Sequence, residues 1–289
     1  MNPVPRVLAI HDLSGVGKCS LTVALPILSV MGAEVAALPT AVLSTHTGGI
    51  SCYTYRDLTD DMLPIAKHWQ SLGLGFDALY SGWLGSAQQN EIVLSLLEMF
   101  AAPGQALRLV DPVMGDHGRL YSTYTPDRVK GMVRLCQSAD VITPNLTEAR
   151  FLLGEPYSPE IMTADAARIL CQRLSDMGPG RVVITGISTG PDTVGAASWD
   201  AQTLTFDIHE MARVPGIWHG TGDILCSVLL GGLLRGYPLQ RAAALAVDFT
   251  QGCIARTHAL GTDARFGVDF ERGLPGLIRA MEKEDGTHG

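Results

Sequence analysis

At 289 residues and 46% apolar content, the chain is long enough to bury a large core, and α/β folds reach this length as one domain. A formal charge of −8 with no dense Lys/Arg run argues against nucleic acid or an anionic membrane as the main partner and leaves a small soluble ligand. Six cysteines without a C-x-x-C pair indicate neither zinc nor a disulfide framework, no apolar run approaches the ~20 residues of a membrane span, and the short start at 1–12 is no secretory signal; reduced thiols in cytoplasm are the expectation.

In chain order, 6–10 reads as a strand, a glycine-rich turn follows at 14–20, and 19–31 reads as a helix. Strands are expected at 34–39, 78–81, 107–111, 141–143 and 182–185, and helices at 86–100, 126–136, 147–153 and 164–177, several opened by Ser or Thr. Residues 193–199 and 203–209, separated by Asp200-Ala201-Gln202, look like an antiparallel hairpin. The end is helical over 222–235, 239–255 and 269–284, with a frayed tail at 285–289. No linker, repeat or low-complexity segment divides the chain, so one domain over 1–289 is expected. The alternation implies an α/β fold: a mostly parallel central sheet with helices on both faces and an antiparallel edge hairpin.

In such sheets, ligands collect beyond the carboxyl ends of the strands. The polar residues fall at those ends: His11-Asp12, Ser44 to Gly49, Gly82-Trp83, Asp111 to Asp116, Thr143 to Asn145 with Glu148, Thr185-Gly186 and Gly220 to Asp223. The last group is the most informative. Two glycines let the backbone of Gly220-Thr221-Gly222 approach a phosphate, and a helix starting at Asp223 aims its unpaired amides there. Asp223 in that first turn is a carboxylate placed to take a proton from an attacking hydroxyl, which suggests phosphoryl transfer. Read alone, the same residues are a loop ending in a helix-capping Asp.

Other motifs also carry two readings. Ser14-Gly15-Val16-Gly17-Lys18-Cys19-Ser20 is no Walker A loop, because Asp12 and Cys19 stand where a Gly and a Ser or Thr are required. Asp111 with Asp116, and Asn145 with Glu148, supply the oxygen donors that suit Mg²⁺ bound through few carboxylates and substrate phosphates; equally, Asp111 can fix a turn and Glu148 can favour a helix dipole. Trp83 can stack on a flat substrate or pack in the core. His46, between two threonines, can donate to a ligand or satisfy loop carbonyls. His117 and His219 lie beside candidate phosphate loops with no partner visible in sequence.

The ordered set H-D-L-S-G-V-G, S-T-H-T-G-G, S-G-W-L-G-S, D-P-V-M-G-D, T-P-N-L-T-E and H-G-T-G-D, spread over roughly residues 6–257, resembles the pyridoxal and pyridoxamine kinases of the ribokinase-like superfamily. The resemblance implies a three-layer fold, ATP as co-substrate, Mg²⁺, transfer to the 5′-hydroxymethyl group of a vitamin B6 vitamer, and a homodimer. It implies Asp223 as base and Gly220, Thr221 and Gly222 as anion hole. Asp111 and Glu148 would manage Mg²⁺ and its waters, with Asp116, Tyr121, Asn145, Thr185 and Thr221 on the ATP side. Thr47, His46 and Trp83 would face the pyridine ring, with Asp12 at its polar edge. Three departures stand out: a shorter glycine turn, Asp12 where a serine is common, and Gly186-Ile187 after Thr185. Hydroxymethylpyrimidine kinase on the same fold and a non-catalytic vitamer-binding protein are the competing readings. A nicotinamide dehydrogenase is disfavoured because no G-x-G-x-x-G follows the first strand.

Overall fold

In the first strand Val7 turns to one face and Leu8 and Ile10 to the other, all fully buried, as in a parallel strand covered on both sides. The computed structural model describes residues 4–101, 105–122, 124–158 and 161–285. Its elements are β1 (Arg6–Val16), α1 (Leu21–Val30), β2 (Glu34–Thr45), β3 (Tyr55–Asp57), α2 (Thr59–Ser71), β4 (Ala78–Ser81), α3 (Ala87–Phe100), β5 (Leu107–Val110), β6 (Gly115–Asp116) and β7 (Arg119–Leu120). There follow α4 (Pro126–Gln137), β8 (Val141–Ile142), α5 (Leu146–Leu153), α6 (Ala164–Ser175), β9 (Arg181–Ile187), β10 (Thr193–Asp200), β11 (Thr205–Ala212), α7 (Thr221–Leu234), α8 (Leu239–Leu260) and α9 (Leu274–Asp285).

One nine-stranded sheet runs β11-β10-β9-β8-β5-β4-β1-β2-β3. The pairings from β9 to β2 are parallel, while β10, β11 and β3 are added antiparallel at the two edges. On one face, apolar residues of α2 to α6, such as Met62, Leu96, Leu135, Leu152 and Leu170, cover Leu8 and Ile10. On the other, α1, α7, α8 and α9 bury Ile27, Leu229, Ala246 and Leu277 against Val7 and Tyr80. The result is three layers, a mostly parallel sheet with helices on both faces, as the alternation implies.

Several expected boundaries move. The first two strands do not stop at residues 10 and 39; they continue to Val16 and Thr45, so His11, Asp12 and Ser44 lie within strands and not after them. The polar sequence hides this continuation, which a bulge sustains: His11 faces Pro39 and Leu13 faces Val42, so Thr40 and Ala41 oppose Asp12. The strand β3 and helix α2 were not expected. Pro64 interrupts the α2 pattern, and its buried residues, Thr59, Met62 and Ala66, make a sparse stripe. The last helix starts at Leu274 rather than 269, after a 3₁₀ turn at Glu271–Gly273. The first hairpin strand ends at Asp200 and the second begins at Thr205, one and two residues later than the pattern suggests. Of the expected frayed tail, 286–289 lie outside the described residues, as do 1–3 of the apolar start.

Candidate active site

Helix α7 opens on Gly220 with φ 75, a left-handed conformation that favours glycine. The position is sterically closed as well, since an added Cβ would lie 1.8 Å from the Lys18 carbonyl oxygen. The α7 N-terminus has no side-chain cap, so its first amides are left for an external anion. The Thr221 hydroxyl donates to the Trp218 carbonyl at 3.2 Å, which steadies the turn. Gly222 is exposed and stands next to Asp111, whose Oδ2 is 3.9 Å from where a Cβ would be.

Asp223 follows in the first turn with its side chain 15% exposed. Burial pushes its pKa up to about 7; the neighbouring Asp12 charge acts in the same direction, and the Ser20 backbone N–H opposes both. A carboxylate near neutrality is suited to accept a proton at physiological pH. Beneath it lies His11, fully buried, with Nδ1 3.9 Å from Asp223 Oδ1 and its ring edge-on to Tyr80. Burial lowers the His11 pKa to about 3, which keeps the imidazole neutral, and neither ring nitrogen has a hydrogen-bond partner. Gly82 is required beside it, because a Cβ there would come within 2.4 Å of His11 Nδ1.

The metal-side residues sit on the next strand ends. Asp111, just beyond β5, is buried, and its carboxyl pKa is raised by burial and by Asp223, against hydrogen bonds from Cys226 and Thr143. Glu148 accepts from the Met114 N–H at 3.0 Å and the Asn145 N–H at 2.8 Å. Asn145 caps α5 in return, completing a capping box. Burial raises the Glu148 pKa, with Asp111 adding to it. The Asn145 amide nitrogen donates to the Gly115 carbonyl at 2.9 Å, so this side chain is committed at both ends, its oxygen to the start of α5 and its nitrogen to the turn at Gly115. Thr185 pairs with Asn145 as an isolated parallel bridge, which puts it beside that turn. Asp116 is exposed on the β6–β7 hairpin and accepts from the His117 N–H at 2.7 Å. Tyr121 leaves that hairpin with its hydroxyl pKa raised by burial and then by Glu148, Asp116, Asp111 and Asp223.

On the ring side, Asp12 is buried in the bulge and accepts from Ser20 Oγ at 2.6 Å and Ser14 Oγ at 3.0 Å. Burial pushes its pKa up, against these two hydroxyls. It has no partner in Lys18, which pairs with Glu271 at 2.7 Å instead. The two readings of His46 are separated by its bonds: Nδ1 accepts from the Gly48 N–H at 3.1 Å, and Nε2 meets the Arg265 carbonyl. Both nitrogens are therefore spent on loop backbone, and the ring itself is what remains to face a ligand. Thr47 is exposed and Trp83 half-buried, the latter edge-on to Tyr55 at 6.5 Å. Tyr55 thereby brings β3, paired to the extension of β2, beside Trp83 on the ring side.

The expected residues thus converge at one end of the sheet. Sequence reasoning missed Tyr55, on a strand too short to signal itself, and Ser20, whose backbone has φ 50 and ψ −130. It also missed that His11 lies beneath Asp223 and that Cys226, bonded to Thr143, stands with it beside Asp111. His11, Thr143 and Ser20 lie in or beside the motifs named above, but each acts through a neighbour from another element, which the motifs do not show. Among the described residues, no group of three or more His, Cys, Asp or Glu forms a metal cage, and no helix is long and apolar enough to cross a membrane.

Comparison with known proteins follows the same lines. A family model described as phosphomethylpyrimidine kinase matches residues 28–267. A candidate phosphomethylpyrimidine kinase from Bacteroides thetaiotaomicron is 40% identical with a TM-score of 0.90, covering 95% of this chain and 96% of its own, in a crystal form with pyridoxal. The pyridoxal kinase of Lactobacillus plantarum is 36% identical with a TM-score of 0.88, over 97% of this chain and 99% of its own. A pyridoxal kinase of Vibrio vulnificus is 30% identical over 80% of each chain. The chain belongs to the phosphomethylpyrimidine kinase family of the ribokinase-like superfamily, alongside the pyridoxal kinases.

Proposed function

We propose that this chain transfers the γ-phosphoryl group of ATP to the 5′-hydroxymethyl group of a vitamin B6 vitamer, pyridoxamine or pyridoxal, in salvage of pyridoxal 5′-phosphate. The observation that carries this reading is the α7 N-terminus, where the Gly220-Thr221-Gly222 turn and the Asp223 carboxylate share one small space with Asp111 and Asp12. Asp223 accepts the hydroxyl proton. The freed oxygen forms the new bond to the γ-phosphorus, the bond to the β–γ bridging oxygen breaks, and ADP leaves. The anion-hole amides neutralise charge on the transferring group, and most of the acceleration comes from positioning and electrostatics.

The donor set fits Mg²⁺ that arrives with ATP and keeps much of its water, because Asp111 and Glu148 are buried carboxylates on the nucleotide side and no group of three or more His, Cys, Asp or Glu forms a cage among the described residues. Asp111 would hold the ion or its waters directly, and Glu148 would act on them while fixing the Met114–Gly115 backbone. Bound there, the ion supplies charge stabilisation to the phosphates. Asp116, Tyr121 and Thr185 border the nucleotide, while Asp12, Thr47, Trp83 and the His46 ring border the vitamer. We read 1–289 as one catalytic unit, supported by the nine-stranded sheet that both helical layers share; the resemblance to the pyridoxal kinases adds a homodimer working in the cytoplasm.

A flat pyrimidine alcohol is the second reading, favoured by the description of the matching family model. Turnover of ATP by the purified protein with pyridoxal, pyridoxamine, pyridoxine and hydroxymethylpyrimidine, side by side, decides it. Turnover confined to the pyrimidine would replace the vitamer assignment, and turnover with none of the four would end the kinase reading.

A further inference from the structure

Ser20 combines three features that no motif accounts for. Its backbone, at φ 50 and ψ −130, lies in territory that a residue with a Cβ rarely occupies and that surrounding structure must enforce. Its hydroxyl, buried, donates to Asp12 Oδ1 at 2.6 Å. Its backbone N–H is turned toward the Asp223 carboxylate and favours the charged form of that group. The chain reaches this conformation just where the turn after β1 enters α1, and both Val23 and Ala24 N–H groups bond back to the Ser20 carbonyl. The first turn of α1 therefore anchors the strained residue.

We propose that Ser20 is a positioning residue: its left-handed backbone turns the N–H toward the base Asp223 while its hydroxyl holds Asp12, so that one residue sets the spacing between the proton acceptor and the carboxylate at the ring edge. This rests on the kinase reading above. A helix cap without a function would not need the strain. An ordinary N-cap serine is extended and accepts from its own helix, as Ser86 does for α3, whereas Ser20 makes no side-chain cap bond to α1 and gives its hydroxyl to another element. Ser14 also donates to Asp12, so Asp12 stays satisfied without Ser20 but is no longer tied to Asp223.

Two substitutions separate the two arms. Ser20→Ala removes the hydroxyl and keeps the strained backbone. The vitamer KM should rise about 5- to 50-fold, the scale of a lost hydrogen bond to a charged group, with kcat within about threefold. Ser20→Gly also frees the backbone, so the N–H is no longer held on Asp223; kcat should fall about tenfold more, while Tm exceeds that of Ser20→Ala by roughly 1–4 °C because the strain is released. Ser20→Gly covers the case in which Ser20→Ala does not fold. Wild-type kcat and vitamer KM in both variants, or a Ser20→Gly protein less stable than Ser20→Ala, would overturn the inference. Failure of the kinase reading would show in the wild type as absent turnover. The clamp would then be read from calorimetric pyridoxamine affinities of the three proteins, with equal affinities overturning it.

Discussion

Among single residues, Asp223 carries the strongest expectation. Replacing it by Asn removes the proton acceptor while keeping the shape, so kcat should fall about 10²- to 10⁴-fold with ATP affinity within a few-fold, measured by steady-state kinetics and nucleotide titration. The pH dependence follows from its raised pKa of about 7. The rate should climb as pH rises through about 7, where the carboxylate becomes able to accept a proton, and level off above. Stability runs the other way. A carboxyl whose folded pKa exceeds its ordinary value of 3.8 contributes fully below that value and loses its contribution as pH rises through the folded pKa. Asp223→Asn should therefore be more stable than wild type at pH 8, by on the order of 2–4 kcal/mol, with the difference vanishing near pH 4 in denaturant titrations without Mg²⁺. Asp12 makes a second test. Its two serine donors favour the charged form at the ring edge against the pull of burial, and Lys18 is engaged by Glu271 instead. Pyridoxamine, with its cationic aminomethyl group, should be preferred over pyridoxal by about 1–3 kcal/mol in kcat/KM. Asp12→Ser should erase that preference, and a ratio unmoved by the substitution would remove Asp12 as selector.

Among elements, the α7 N-terminus and the loop after α8 depend on each other. Gly220 is packed on the Lys18 carbonyl, and the Lys18 N–H donates to the Phe266 carbonyl at 3.0 Å. Gly220→Ala must push the anion hole away from Lys18 and leave a left-handed alanine, so kcat should drop at least about 10²-fold, the scale of a lost oxyanion donor, with a lower Tm. Vitamer binding measured without nucleotide should change little. His46 links the end of β2 to the same loop through Gly48 and Arg265. In His46→Ala both backbone partners lose their bonds, which should destabilise the protein by about 1–3 kcal/mol and speed amide hydrogen exchange over 262–267. Unchanged exchange there would mean that the loop is held by Lys18 and Glu271 alone.

At the scale of the whole molecule, every expected site residue lies at one end of a single sheet, and β3 with the β2 extension rises beside it. Sedimentation of the purified protein should show a two-chain species at micromolar concentration; a monomer with full turnover would remove the homodimer from the functional reading.

How much could be read in advance differs by residue. The α/β alternation and the strand at Ala78–Ser81 were legible because each is local, set by the period of its own buried residues. So were Gly220 to Asp223, since two glycines before an acidic first turn carry their chemistry in adjacent residues. Other features were not local. The continuation of β1 past Ile10 depends on β2 pairing across a bulge, and α2 on a sparse stripe meeting the sheet. That the His46 nitrogens are spent on loop backbone, leaving only the ring face free, depends on Arg265, 219 residues away in the chain. The sequence by itself determined the layers and the chemistry present at the strand ends, because those follow from periodicity and residue type. Only the tertiary structure decided which groups share a low-dielectric space, and so which carboxylate stands near neutrality, which histidine stays uncharged and which serine is strained, because desolvation and mutual repulsion arise from neighbours that the chain brings together from distant positions.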